Sequence, residues 1–190
     1  MNSRGWSGSA LAALLFTALP LAVLLLAACP SNEPELATPL SETPESAALP
    51  DGLLSAVHMG DPRAVPQLLE GFHGLEQGVW RWTARKFVVA LQAPAGGAGQ
   101  ETQLEFKLTL PDAVIARLTG VTLTARINGT DLGSESYQQP GEYVFTKAVP
   151  ASVLQSGEAV KVEFELDKAL PPGEADKREL GVVAVSVALK

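Results

Sequence analysis

Apolar side chains recur at every second position in much of the chain after residue 86. Leu104, Phe106 and Leu108 alternate with polar residues, and the segment 121–127 repeats the pattern. A period of two places successive side chains on opposite faces of a strand, so each segment predicts a half-buried β-strand. The segment 87–91 is a short, almost continuous apolar run, which is typical of a strand covered on both faces.

Turn residues separate these segments. Asn128-Gly129 follows the second alternating segment, and both residues tolerate a positive φ, so the pair predicts a type I′ hairpin with a return strand near 131–136. Further strands are predicted at 143–149, 159–166 and 182–189. Seven or eight short strands with turns every 8–12 residues or so predict an all-β fold, an antiparallel β-sandwich. This pattern alone does not separate a jelly roll from an immunoglobulin-like sandwich.

Charge and composition exclude several classes of partner. The chain has 14 Lys and Arg against 21 Asp and Glu, a net charge of −7, so no nucleic acid is expected as a partner. A single cysteine forbids an internal disulfide. Two histidines provide few ligands for a metal, and neither has a Cys, Asp or Glu near it at the spacing typical of metal sites. We therefore expect neither a bound metal nor another cofactor.

The N-terminal region has the sequence pattern of a targeting signal. Arg4 precedes an almost entirely apolar run from 11 to 26, as in a signal peptide, and the segment 26–29 reads Leu-Ala-Ala-Cys. This segment resembles the lipobox of bacterial lipoproteins. The resemblance implies a signal peptide over 1–28, acyl chains such as palmitate on Cys29, and a bacterial cell-envelope protein anchored to a membrane. Pro30 replaces the aspartate of the inner-membrane retention signal, which favours the outer membrane. The alternative is an uncleaved anchor helix.

Residues 29–66 differ in composition from the rest. Prolines recur among acidic, small and polar residues, a composition that cannot bury enough apolar surface to fold. We therefore predict a lipidated Cys29 followed by a disordered stalk over 29–66, and a β-sandwich domain over 67–190.

Trp80 and Trp82 are the most unusual local feature. On a strand, their i, i+2 spacing places both indoles on one face and Arg81 on the other. They either form an aromatic platform for sugar rings or fill the core of the sandwich. His73 and Glu76 lie in a turn-rich segment shortly before this strand and are further ligand candidates, although His73 also fits a solvated loop.

No arrangement of residues predicts catalysis. The sequence has no Gly-x-Ser-x-Gly motif, and lipidation would consume its one cysteine. Glu163 and Glu165 lie two apart on a strand beside Lys161, which is typical of a solvated face rather than a glycosidase pair. We expect a protein that is not an enzyme and has no catalytic residues.

The two ends of the domain resemble a known class of module. Gly-Phe-His-Gly-Leu-Glu at 71–76, Arg-Trp-Thr at 81–83 and Asp-Lys-Arg-Glu-Leu-Gly at 176–181 are similar to segments of β-sandwich modules found beside bacterial glycosyltransferases and in cell-envelope polysaccharide proteins. The resemblance implies a galactose-binding-like jelly roll in a glycan-related setting and transfers no catalytic residue. Arg178 and Glu179 either form a structural clamp, with Arg178 pairing to Glu76, or contact a sugar.

Together these features favour a lipid-anchored, non-catalytic β-sandwich that binds carbohydrate or an envelope glycan. The alternative is a protein–protein scaffold that docks envelope proteins and has no sugar site. A divergent hydrolase is the third hypothesis.

Overall fold

The computed structural model describes residues 52–95, 101–154 and 157–190. The predicted signal peptide, Cys29 and the stalk up to residue 51 lie outside these residues. By its internal contacts the chain divides into two units, 1–45 and 46–190, and the described residues all belong to the second. Within the described ranges, no helix combines the length and the apolar character needed to cross a membrane.

The described residues form antiparallel strands with little helix. One α-helix, α1 (Asp112–Leu118), joins the fourth strand to the fifth. The strands are β1 (Ala56–His58), β2 (Leu68–Glu76), β3 (Trp80–Gln92), β4 (Thr102–Leu110), β5 (Val121–Ile127), β6 (Thr130–Tyr137), β7 (Gly141–Val149), β8 (Ala159–Leu166) and β9 (Val183–Leu189).

The strands hydrogen-bond in the order β6-β5-β8-β3-β9-β4-β7, with β1 added to β9 and β2 added to β3. Strand β3 belongs to both halves of this sheet. Its C-terminal part, Lys86–Gln92, pairs with β8, whereas Arg81 and Trp82 near its start pair with β9. The sheet therefore folds over at β3 into two layers, β5–β6–β8 on one side and β4–β7–β9 on the other.

Four phenylalanines fill the space between the layers. Phe87 lies opposite Phe164 in register and stacks on it at 5.0 Å, and Phe106 lies opposite Phe145 in the other layer. Phe106 also contacts Phe164 across the core, with ring centroids 4.9 Å apart. Side chains of this size dominate burial energy. The antiparallel all-β sandwich predicted from the sequence is confirmed.

Glycine residues determine the backbone geometry at two places, the turn between β5 and β6 and the segment just before β9. Asn128 and Gly129 have φ of 47° and 82°, which makes them the central residues of the predicted type I′ turn. Gly181 is held against β3, where its amide donates to the carbonyl of Thr83 at 2.7 Å. A Cβ at position 181 would lie 2.8 Å from the backbone carbonyl oxygen of Ala84, which cannot move aside as a side chain can, so only glycine fits this approach.

The folded domain begins before residue 67, so the predicted boundary of the stalk is wrong for residues 52–66. Val57 in β1 and Met59 after it are fully buried, and β1 pairs with the last strand. Gln67 is also buried, and its amide bonds Leu54 and the carbonyl of Ala90. Ala64 is the third buried apolar residue of this segment. Three such residues in a proline-rich context are too few to show a pattern, which is why composition misassigned this segment.

The segment 71–76 is also not the loop that its glycines predicted. It belongs to β2, which forms a hairpin with β3 through a turn at Gln77 and Gly78, both with positive φ. His73 is therefore a half-buried strand residue rather than a solvated loop residue.

Candidate functional site

The two indoles of β3 lie on the same outward face of the sheet, as their spacing predicts. Trp80 and Trp82 have ring centroids 6.3 Å apart and planes at 81° to each other. Both are half-buried, and Trp82 also packs against the hydrophobic core. The pair is thus neither fully core nor fully exposed. The two ring planes are nearly perpendicular and form a corner, so a ligand can lie flat on one indole and contact the other from the side. We call this pair the indole corner.

Backbone register extends this corner into a row across four strands. Trp82 of β3 pairs in register with Val183 of β9. On the other side of β9, Val183 pairs with Thr109 of β4, and Thr109 in turn pairs with Glu142 of β7. A cavity of about 460 Å³ covers the row. Its lining consists of Val79, Trp80, Trp82, Thr109, Pro111, Glu142, Val183 and Val185.

A second cavity of about 390 Å³ adjoins the first and shares Thr109, Glu142 and Val185 with it. It continues over β4 and β7 to Lys107 and Val144, which lie opposite each other in register. We call the two cavities together the sheet groove. It crosses from β3 over β9 and β4 to β7, and it also extends by two residues along β4 and β7.

The sheet groove is apolar at one end and polar in the middle. Glu142 lines the groove and is exposed. Among the described residues, its carboxylate forms no ion pair and no side-chain hydrogen bond. A free carboxylate accepts hydrogen bonds from two hydroxyl groups, and the Thr109 hydroxyl can donate or accept one. Lys107 Nζ is 4.0 Å from Glu105, so that ammonium is only loosely held.

The other candidate residues lie outside the sheet groove and bind one another. Arg178 Nη1 donates to Glu76 Oε1 at 2.9 Å, and the same guanidinium forms a bidentate pair with Asp176 at 2.8 and 3.0 Å. The hydrogen bonds from Arg178 lower the pKa of Asp176 to about 2. His73 Nε2 bonds the backbone carbonyl of Glu179 at 2.7 Å. We call His73, Glu76, Asp176, Arg178 and Glu179 the loop clamp.

The loop clamp joins the β2–β3 hairpin to the loop before β9. Glu179 contributes through its carboxylate as well, which accepts from the Arg85 amide at 2.9 Å. Arg81, which sequence reasoning left without a role, donates to the carbonyl of His73 at 3.0 Å. The expected Arg178–Glu76 pair is present, although the bidentate partner is Asp176. His73 and Glu76 thus contact protein groups and do not line the sheet groove, while Trp80 is the register neighbour of Glu76.

Sequence reasoning missed Thr109, Glu142 and Lys107 as groove residues. Their outward position on alternating strands was visible, but many solvated strand residues share it. Among the described residues, no group of three His, Cys, Asp or Glu side chains is placed to hold a metal ion.

No protein-family model matches the sequence, and no curated protein matches it either. Solved structures that share part of the fold include the following three. Dimeric latent PorU from Porphyromonas gingivalis matches with a TM-score of 0.35 and 10% identity over 54% of this chain and 10% of its own. An acetyl xylan esterase from the rumen bacterium Butyrivibrio proteoclasticus matches with a TM-score of 0.43 and 10% identity, over 73% of this chain and 33% of its own.

The third, Ruminococcus gnavus beta-glucuronidase, matches with a TM-score of 0.33 and 15% identity over 65% of this chain and 23% of its own. This chain therefore spans between a tenth and a third of the length of these proteins. These similarities are too low to indicate a ligand or an activity for this chain.

Proposed function

We propose that the domain is a non-catalytic carbohydrate-binding module, and that the sheet groove is its binding site. The observation that carries this proposal is the combination of two indoles at a corner with an unpaired carboxylate and a hydroxyl in one groove. Sugar rings have C–H groups on their faces and hydroxyls at their edges. Such a ring stacks its face on an indole while its hydroxyls reach Glu142 and Thr109, which is the pattern of an apolar pocket with a few placed polar groups.

The location of the protein is part of this proposal. The lipobox-like segment ending at Cys29 would place acyl chains on the N-terminus and hold the module at the bacterial cell envelope, in the outer rather than the inner membrane. Two or more acyl chains give stable anchoring. The module would then present its groove to glycans of the envelope.

Glycan binding by the full chain tests the proposal. The protein is kept in a detergent without a sugar headgroup, because a glycosidic detergent would compete for the groove. A glycan array first identifies ligands, and calorimetric titration then compares wild type with Trp80→Ala. We expect a loss of at least about tenfold in affinity, or about 1.4 kcal/mol.

The matched control is Leu69→Ala, which removes a side chain of 41% exposure on β2, outside the groove. This variant should bind as wild type does. Equal binding by wild type and Trp80→Ala, or the absence of any glycan ligand, would contradict the proposal.

One observation favours a second candidate, a scaffold that docks an envelope protein. Val79 and Val144 at the two ends of the groove are 57% and 53% exposed, and exposed apolar side chains around a groove can mark a protein interface. In that case Val144→Asp would abolish capture of the partner, and no glycan would bind.

A further inference from the structure

We infer that the sheet groove binds an internal stretch of an uncharged polysaccharide, lying across the strands in two joined subsites. This inference rests on the proposed function and adds to it the length and charge of the ligand. The first subsite is the indole corner, and the second is the part of the groove over Lys107 and Val144. Glu142 stands at their junction, because it lines both cavities.

The length of the ligand follows from the strands that the groove crosses. The row from Trp82 through Val183 and Thr109 to Glu142 spans β3, β9, β4 and β7 within the first cavity. Lys107 and Val144 of the second subsite lie on β4 and β7, two residues along these strands from the row. Neighbouring strands lie about 4.8 Å apart, so three intervals give roughly 14 Å. A pyranose ring in a chain is about as long as one interval of ~4.8 Å between strands, so this distance holds about three rings. The offset of two residues along β4 and β7, about 7 Å, adds room for a fourth.

The direction of the groove supports an internal stretch rather than a chain end. A site for a terminal sugar closes around the last ring, whereas the sheet groove continues from the indole corner into a second cavity that shares three of its lining residues. A chain entering at Val79 can leave over Val144, since both side chains are exposed.

The charge of the groove favours an uncharged ligand. Its lining carries one carboxylate, Glu142, and one ammonium, Lys107, and this ammonium also faces Glu105 at 4.0 Å, so no positive field attracts a polyanion. Because Glu142 borders both subsites, it would repel a sugar carboxylate placed at the centre of the groove. Its two oxygens suit adjacent hydroxyls on one ring or on two linked rings.

A length series tests the inference. The full chain, in a detergent without a sugar headgroup, is titrated with β-1,4-linked glucose, mannose and N-acetylglucosamine oligomers of one to six rings, and with oligogalacturonides of the same lengths. For at least one uncharged series we expect affinity to rise about 30-fold or more from one ring to four and then to level off. Oligogalacturonides should bind more weakly at every length.

Two variants separate the subsites. Lys107→Ala should weaken the four-ring ligand and leave the two-ring ligand unchanged, since two rings occupy the indole corner. Lys86→Ala is the matched control, because Lys86 is an exposed strand lysine near a glutamate, as Lys107 is, but outside the groove. Glu142→Gln should weaken every uncharged oligomer longer than two rings by about tenfold and reduce the discrimination against oligogalacturonides.

The possible failures are distinct. Binding of one ring as tightly as four, equal effects of Lys107→Ala on two-ring and four-ring ligands, or preference for oligogalacturonides would overturn this inference while leaving carbohydrate binding in place. If no member of any series binds and the glycan array is also blank, the proposed function fails and the inference fails with it.

Discussion

The segment before residue 67 should be essential for the stability of the domain, although its composition predicts a stalk. Val57 and Met59 are 0% and 1% exposed in the folded chain. Burying a side chain of this kind stabilises by about 1.5–3 kcal/mol, so the two together contribute about 3–6 kcal/mol. A whole domain of this size is stable by only about 5–15 kcal/mol. A fragment of residues 67–190 should therefore be close to unfolding.

Loss of the segment also removes two of the three hydrogen bonds of the Gln67 side chain and leaves the one to the Ala90 carbonyl. Its side-chain amide bonds both polar groups of Leu54, at 2.9 and 3.0 Å, and a buried amide left without such partners costs a further 1–3 kcal/mol or so. Urea unfolding followed by far-UV circular dichroism compares fragments 46–190 and 67–190. With a slope of about 1–3 kcal/mol per M, the midpoint of the shorter fragment should fall by about 1 M or more.

A point substitution gives the same test without truncation. Met59→Ala should cost about 2–5 kcal/mol, whereas Val65→Ala, in the adjacent 3₁₀ helix and half exposed, should stay within about 0.5 kcal/mol of wild type. Equal urea midpoints for the two fragments, or for Met59→Ala and Val65→Ala, would refute the reasoning that these residues belong to the core.

Three further predictions concern the core, the loop clamp and the anchor. Phe164→Ala removes a ring that contacts three other phenylalanines and should destabilise by about 3–5 kcal/mol in urea unfolding; a change below about 1 kcal/mol would mean that the layers do not pack on it. Because Arg178 lowers the pKa of Asp176 from 3.8 to about 2, the clamp stabilises the fold fully above pH 4 or so. This contribution is lost as pH falls from 4 toward 2. The melting temperature of wild type should therefore fall further over this pH range than that of Asp176→Asn, which lacks the carboxylate. Equal falls in melting temperature for the two proteins would contradict a stabilising role of the loop clamp. Cys29→Ser should release the protein from membranes into the soluble fraction, and unchanged retention after washing without detergent would exclude lipid anchoring through this residue.

The strands were predictable because their signal is local. In β4 and β5 the alternation of apolar and polar residues gives one buried face directly, and the boundaries of β8 were predicted at the residues where the strand begins and ends. Helix α1 gave no such signal, since its seven residues complete only about two turns and bury Val114 alone. A short strand such as β1 is formed by pairing with β9, a partner that lies about 130 residues further along the chain.

The candidate site was predictable only in its aromatic part. Trp80 and Trp82 stand two residues apart, so their shared face follows from strand geometry. Glu142 joins them because β9 and β4 lie between β3 and β7, an order that the sequence does not state. The loop clamp shows the reverse case: His73 and Glu76 lie close to the indoles in sequence, yet their side chains point to the loop before β9.

The most direct test of the central claim is to observe which groups of the domain a bound sugar touches. Fragment 46–190, labelled with ¹⁵N, contains two tryptophans and therefore gives two indole N–H signals in an NMR correlation spectrum. Titration with a four-ring uncharged oligosaccharide should shift both indole signals together with the amides of Thr109 and Glu142, and leave the amide of Arg178 in place. Shifts centred on Arg178 with both indole signals unmoved would contradict a binding site in the sheet groove.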